Sequence, residues 1–194
     1  PAETETTEAV SFTCTNPKHN HEGETVTWTA WDGTTGLSTA GHYYLENDAS
    51  KNGGLTMKGD IVIDLNGKTL TGTAASFRFY LGNANTNLTL QNGTVMFKGN
   101  MDMTNAGSFV SGANVTGLAL YISGVTVDGN GCPTTTKNAG LINAQRTGNV
   151  VVIKDSTFKN FDATEAGYGG AINLYSGSAT LENVVFENCT AKNG

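Results

Sequence analysis

Residues 61–70 read IVIDLNGKTL, and the order of apolar and polar side chains in this stretch predicts the fold. The pattern is an apolar residue, any residue, a second apolar residue, four residues and a third apolar residue, here Ile63, Leu65 and Leu70. The same pattern recurs in LTLQNGTV at 88–95, LALYISGV at 118–125, VVIKDSTF at 151–158 and ATLENVVF at 179–186. A constant apolar pattern at variable spacing predicts stacked coils with one shared core and loops of different lengths.

A second apolar element precedes four of these stretches. It reads FRFYL at 77–81, SFV at 108–110, GLINA at 140–144 and GAINLY at 170–175. Each coil therefore holds three short strands, and alternate side chains of each strand point inward. We expect an all-β chain that forms a parallel β-solenoid of about five three-strand coils. A β-sandwich also contains short strands at regular spacing, but a β-sandwich sequence is not expected to repeat the same apolar pattern five times.

The chain divides into three regions. Residues 1–24 form an acidic lead-in, rich in Thr and Glu, which we expect to be partly flexible. Residues 25–60 contain both tryptophans and are predicted to cap the N-terminal end of the core, and residues 61–194 are predicted to form the coils. Because an uncovered last coil leaves an unpaired strand edge, we expect the natural polypeptide to continue with further coils.

Stacked coils bring equivalent positions side by side, which predicts specific contacts between neighbouring coils. Asn160 and Asn188 both follow the last apolar residue of their coil by two positions, so we expect their amides to form a hydrogen-bonded ladder. Two cross-strand ion pairs are likewise predicted, Lys154 with Glu182 and Lys159 with Glu187.

Composition excludes several classes of protein. Gly, Asn and Thr number 25, 21 and 29 of the 194 residues, which is typical of strands joined by tight corners. Only 14% of the residues are charged, too few for a long surface helix or a coiled coil. The net charge of −6 argues against nucleic acid as a partner, and no apolar run is long enough for membrane insertion.

The region from the cap to the first coil resembles the opening of large secreted or wall-attached proteins of gut-dwelling Gram-positive anaerobes. The matching residues are Trp28, Trp31, Asp32, Gly41, Tyr43, Tyr44, Leu45, Asp48 and the stretch 59–72. GGAINLYSGSATLENVVFENCTA at 169–191 is similar to the repeat of the pectate-lyase-like superfamily. The resemblance implies a right-handed parallel β-helix and an extracellular location, either secreted or attached to the cell wall. It does not imply one activity, because this fold carries lyases, hydrolases and adhesins.

Catalytic residues are sought as carboxyl pairs on neighbouring coils, since glycoside hydrolysis requires two carboxyls about 5–9.5 Å apart. No outward column of the predicted coils pairs carboxyls on adjacent coils, and the Asp-and-Arg pattern of calcium-assisted lyases is missing. We therefore expect no catalytic residues and no enzymatic activity in residues 1–194. The alternative is the N-terminal part of a polysaccharide lyase or glycoside hydrolase whose active site lies beyond them.

One group of residues in the lead-in has ligands that zinc accepts. Cys14, His19 and His21 form a C-x4-H-x-H arrangement, and His42 is the only other histidine. Zinc prefers four N or S ligands, and the sequence offers no obvious fourth ligand other than Glu22 or Glu24. We predict no metal and no cofactor, with Cys14, His19 and His21 as the candidate set for a zinc clip.

The function that this pattern favours is binding or adhesion through the solenoid surface. Aromatic side chains that face outward could stack on sugars or contact a protein. The candidates are Tyr80, Tyr121, Tyr168 and Tyr175. We expect the partner to be a host protein, such as an immunoglobulin, or a glycan.

Overall fold

The computed structural model describes residues 11–98, 109–112, 115–130, 142–143, 147–168, 171–174 and 176–193. Every regular element in these ranges is a strand, and they contain no helix that is long and apolar enough to cross a membrane. The strands are β1 (Trp28–Trp31), β2 (Gly41–Leu45), β3 (Ala49–Lys51), β4 (Leu55–Thr56), β5 (Asp60–Asp64), β6 (Thr69–Gly72), β7 (Phe79–Tyr80), β8 (Asn87–Phe97), β9 (Val110–Ser111), β10 (Ala119–Asp128), β11 (Ile142–Asn143), β12 (Asn149–Lys154), β13 (Thr157–Tyr168), β14 (Ile172–Asn173), β15 (Gly177–Glu182) and β16 (Val185–Asn193).

The strands stack into three parallel sheets, the first two of which are continuous through β8 and β10 as one 11-stranded sheet, and this stacking confirms the predicted β-solenoid. The first sheet has the order β1-β2-β5-β8-β10-β12-β15, and the third has the order β4-β7-β9-β11-β14. The second consists of β3 and β6, the later halves of β8 and β10, and β13 and β16. The solenoid has about four turns, against about five predicted. The fifth repeat contributes β14, β15 and β16 to the described residues.

In two of the five repeats, the strand register of the first sheet differs from the register that the repeated apolar pattern predicts. Ile63 pairs with Leu90, and Leu90 pairs with Ile122, whereas the repeat pattern had aligned Leu65 and Leu120 with Leu90. Both corrections shift a strand by two residues. A shift of two returns each side chain to the same face, so the apolar pattern alone does not distinguish the two registers.

The inward side chains of the coils form one continuous core. Ile61 and Ile63 of β5 are fully buried in it, as is Leu90 of the next coil. Six fully or almost fully buried phenylalanines belong to this core: Phe77, Phe79, Phe97, Phe109, Phe158 and Phe161. Most of their neighbouring rings meet edge to face at centroid separations of 5.3–6.1 Å, a geometry that aromatic quadrupoles favour.

Asparagines at the corners tie consecutive coils together. The predicted ladder is confirmed, because Asn188 Nδ2 donates to Asn160 Oδ1 at 3.2 Å, and Asn160 Nδ2 donates to Asp128 Oδ1 at 2.9 Å. Asn160 and Asn188 have φ values of 60° and 51°, a left-handed conformation that asparagine tolerates better than most residues. Of the two predicted ion pairs one is present, with Lys154 Nζ 2.7 Å from Glu182 Oε2. Lys159 instead pairs with Asp128 of the preceding coil, at 3.4 Å between Nζ and Oδ2.

Candidate metal centre

The outward face of the first sheet is covered where a solenoid usually meets solvent. Val62, Thr89 and Tyr121 occupy one outward column in neighbouring strands and have exposed fractions of 0%, 0% and 6%. None of the three belongs to the inner core cluster. The lead-in lies against this face, since Asn16 hydrogen-bonds Thr89, and Thr15 and Pro17 line a small cavity together with Tyr121.

Polar side chains of the sheet hold the main chain of the lead-in. The Gln91 amide accepts from Thr15 N at 2.9 Å and donates to Thr13 O at 2.7 Å, so it replaces the partners that a neighbouring strand would supply. Asn16 Nδ2 donates to Thr89 Oγ1 at 3.0 Å. These contacts place residues 13–16 across the outward face.

Aromatic packing fixes the beginning of the same segment. The ring of Phe12 lies 5.2 Å from the rings of Trp28 in β1 and Tyr44 in β2, measured between centroids. Trp28 and His42 are register partners, and their rings meet edge to face at 5.0 Å. The outward columns of the cap thus carry aromatic rings that the lead-in covers.

This docking brings four potential metal ligands together. Cys14, His19 and His21 come from the lead-in, and His42 projects from β2. One ligand atom from each lies within 4.8 Å of the others. The three imidazole centroids are 5.0–5.7 Å apart. A thiol and three imidazoles in one group match the ligand types of four-coordinate zinc sites.

Two of the histidines have ring nitrogens without a hydrogen bond. Nε2 of His21 and Nε2 of His42 are buried and have no hydrogen-bond partner among the described residues. A buried polar atom without a hydrogen-bond partner lowers the stability of the fold by about 1–3 kcal/mol. The burial of these two nitrogens is therefore destabilising. Coordination to a metal would satisfy both.

His19 is oriented by contacts at both ring nitrogens. Its Nδ1 lies 3.4 Å from Cys14 Sγ, and its Nε2 lies 3.0 Å from Asp60 Oδ2. Two ligand atoms of a tetrahedral zinc site with Zn–S of about 2.3 Å and Zn–N of about 2.1 Å are separated by about 3.6 Å. Cys14 Sγ and His19 Nδ1 are thus already at a separation suited to one metal. The pairs of ligand atoms that lie further apart would have to move about 1 Å closer to bind the same ion.

Burial shifts the protonation equilibria of two members of the cluster. It raises the pKa of the Cys14 thiol above its ordinary value. Burial, followed by the positive charges of His21 and His19, lowers the pKa of His42 and favours its neutral, metal-binding form. A divalent cation reverses the effect of burial on the thiol, because a coordinating thiol is deprotonated.

The cluster remains accessible to solvent on one side. A surface cavity of about 420 Å³ borders it, and its wall includes His19, His21, Glu24, His42 and Asp60. This cavity provides an entry path for an ion. Glu24, which the sequence suggests as a possible fourth ligand, lines the cavity. The fourth residue of the cluster with Cys14, His19 and His21 is His42.

His42 is the member of the cluster that sequence reasoning did not include in the candidate set. It lies 21 positions after His21, and no spacing rule connects it with the lead-in. Its position follows only from the register that pairs His42 with Val62, because this register puts it on the covered outward column. The sequence signal was limited to the number of histidines, since all three of them enter the cluster.

The four predicted binding tyrosines have different positions. Tyr80 in β7 is 41% exposed. Tyr121 is buried beneath the lead-in, so the surface of this conformation does not present its ring. The backbone of Tyr168 ends β13, and Tyr175 lies outside the described residues. The structure therefore does not bring the four together as one surface.

Fold and site together define the chain as a parallel β-solenoid with a Cys/His cluster between its lead-in and the first sheet. A scan of the chain against protein-family models gives no match, and searches of curated proteins and of solved structures give none.

Proposed function

We propose that this chain binds one zinc ion through the Cys14 thiolate and the imidazoles of His19, His21 and His42. The observation that carries the proposal is the convergence of four S and N ligand atoms within 4.8 Å. Thiolate and imidazole ligands favour zinc and similar transition metals over Ca²⁺ and Mg²⁺, which prefer oxygen. Three of the ligands lie in the lead-in and one in β2, so the ion joins two segments that are distant in sequence.

The metal has a structural role in this proposal. Structural zinc sites have four protein ligands, whereas catalytic sites keep one position for water or substrate. The lead-in also needs more than its hydrogen bonds to stay in place. Each of these bonds contributes about 1 kcal/mol net, whereas ordering the backbone of each residue costs about 1–2 kcal/mol. These hydrogen bonds alone do not offset the cost of ordering residues 11–24. The packing of Phe12 on Trp28 and Tyr44 and, in this proposal, the metal supply the remainder.

Cobalt substitution tests the proposal directly. Titration of the metal-free chain with Co²⁺ is expected to saturate at one equivalent, with the visible bands of tetrahedral Co²⁺ and a near-ultraviolet thiolate-to-metal band. Zn²⁺ is expected to displace the cobalt and remove both signals. In Cys14→Ser the thiolate band should disappear. A wild-type titration without saturable tetrahedral bands would refute the metal site.

The class and location of the protein are also proposals. The parallel coils favour a right-handed solenoid, since parallel crossover connections are right-handed in about 98% of cases. The tryptophans, the Gly41–Leu45 strand and the stretch 59–72 support a pectate-lyase-like β-helix that is secreted or attached to the cell wall. Recovery of the chain in the wall or medium fraction of the producing cells checks the location.

A second candidate function is binding of a host protein or a glycan at Tyr80. The ring is 41% exposed, and the guanidinium carbon of Arg78 lies 5.5 Å from its centroid. Exposed tyrosine and arginine are enriched in protein interfaces, and an aromatic ring can also stack on a sugar.

Glycan arrays and serum-protein capture test this second function. We expect a ligand that binds wild type to bind Tyr80→Ala at least about tenfold more weakly, as is typical of an interface hot spot. Thr180→Ala, at an exposed position of the first sheet, serves as the control and should bind like wild type. Equal binding of Tyr80→Ala and wild type would place the binding surface elsewhere.

A further inference from the structure

We propose that Asp60 is the positioning residue of the metal centre: it fixes Nδ1 of His19 as the ligand and supplies a second negative charge beside the divalent ion. The inference rests on the proposed metal site and adds a role that none of the four ligands fulfils. It is drawn from the hydrogen bond of His19 to Asp60 and from the charges around the cluster.

The hydrogen bonds of His19 support only one neutral tautomer. Asp60 Oδ2 lies 3.0 Å from Nε2, and a carboxylate accepts hydrogen bonds, so Nε2 must carry the proton. Nδ1, which faces Cys14 Sγ at 3.4 Å, is then the nitrogen with a free lone pair. Histidine ligands of metals usually donate their other N–H to a carboxylate or carbonyl, which fixes the ring and raises its basicity.

A competing contact to His19 does not change this assignment. Asn16 Nδ2 lies 3.3 Å from His19 Nε2, and both atoms would be donors in the tautomer above. One N–H of the same Asn16 amide donates to Thr89 Oγ1 at the shorter distance of 3.0 Å, so the amide keeps a hydrogen bond when His19 Nε2 is protonated. The opposite tautomer would leave the Nε2 lone pair against a carboxylate oxygen at 3.0 Å, which is the larger electrostatic cost.

Charge balance gives Asp60 its second role. A divalent ion bound by one thiolate and three neutral imidazoles leaves one positive charge in a partly buried site. Asp60 is next to the cluster and its Oδ1 is buried without a hydrogen-bond partner among the described residues, although the side chain as a whole is 41% exposed. Its charge neutralises the remaining positive charge at close range, where screening by solvent is reduced.

The position of Asp60 in the solenoid is specific to this coil. It begins β5, and its register partner in the next strand is Asn87. The following strands have Ala119, Val150 and Ser178 in the same column. A carboxylate therefore occurs in this column only in the coil that lies beside His19, among the paired positions of the described strands.

The test compares the Zn²⁺ affinity of wild type, Asp60→Ala and Asp60→Asn in the full chain, measured by competition with a chelating dye. Loss of a hydrogen-bonded carboxylate behind a histidine ligand typically lowers metal affinity by about 10–100-fold, and we expect this loss in Asp60→Ala. Asp60→Asn keeps an oxygen acceptor and removes the charge, so its affinity should fall between the other two. Glu182→Gln, which removes an exposed carboxylate from β15, is the matched control and should bind like wild type.

Two spectroscopic measurements separate positioning from a general structural effect. Histidine-detected ¹⁵N NMR of the zinc form should show a protonated Nε2 on His19 in wild type, with faster exchange of that proton in Asp60→Ala. The tetrahedral Co²⁺ bands should persist in Asp60→Ala, because all four ligands remain. Affinity of Asp60→Ala within twofold of wild type, or zinc bound to Nε2 of His19, would overturn the role of Asp60 and leave the metal site standing. Failure of wild type to bind Zn²⁺ would overturn both.

Discussion

Phe97→Ala is expected to lower the free energy of unfolding by about 3–5 kcal/mol, the usual loss for a fully buried phenylalanine. Phe97 ends β8, is 2% exposed and joins two coils through its ring. The ring meets Phe77 at 5.6 Å and Phe161 at 6.1 Å between centroids, edge to face in both cases. Close-packed interiors collapse only partly around a deletion, so the substitution leaves a cavity between coils and exposes both neighbouring rings to it.

Urea unfolding followed by circular dichroism measures this effect. Tyr80→Ala is the control, because it removes an aromatic ring that is already 41% exposed, and surface substitutions usually change stability by less than about 0.5 kcal/mol. Phe97→Leu, which restores most of the volume, should recover part of the loss. A change below about 1 kcal/mol in Phe97→Ala would mean that this ring does not hold the coils together.

The predictability of the fold has a physical origin in the repeated strand pattern. Each coil must bury the same inward positions against its neighbours, so the pattern of apolar residues recurs, and this recurrence predicts a parallel solenoid. The register was harder to predict because a shift of two residues keeps every side chain on its face. The corner residues give information on the register that the apolar pattern lacks. Five residues with positive φ values lie in one column at a corner: Asn66, Asn92, Gly124, Asp155 and Asn183. Aligning the repeats on these corners would have corrected Leu120 to Ile122.

The candidate site was less predictable because its residues converge from separate segments. Cys14, His19 and His21 are close in sequence and were identified as a candidate set, whereas His42 enters only through the pairing of β2 with β1 and β5. The outward face was assumed to meet solvent. Instead, Gln91 binds the main chain of the lead-in and Tyr121 is buried. A strand pattern predicts which face is outward, but it carries no information about a distant segment that covers that face.

His42→Ala is expected to reduce zinc affinity by about 100-fold and to release the lead-in from the first sheet. The binding free energy of a structural zinc site with four ligands is about 10–16 kcal/mol. One ligand therefore corresponds to roughly 3 kcal/mol, which is about a 100-fold change in affinity. His42 is also the one member of the four that lies on the solenoid. Without it, the sheet supplies no ligand to an ion held by Cys14, His19 and His21, and only the hydrogen bond of His19 to Asp60 links that ion to the sheet.

Amide hydrogen exchange at Thr15 reports on the release, since this N–H donates to Gln91 Oε1 only while the lead-in is docked. With zinc, the amide should be protected in wild type and exchange faster in His42→Ala. With a chelator, both proteins should exchange at the same fast rate. Tyr43→Phe changes the neighbouring residue of β2 by one hydroxyl and should retain both zinc affinity and protection. If the Thr15 amide of zinc-free wild type stays as protected as that of the zinc form, hydrogen bonds and the Phe12 contacts suffice to dock the lead-in, and the metal does not have the structural role proposed for it.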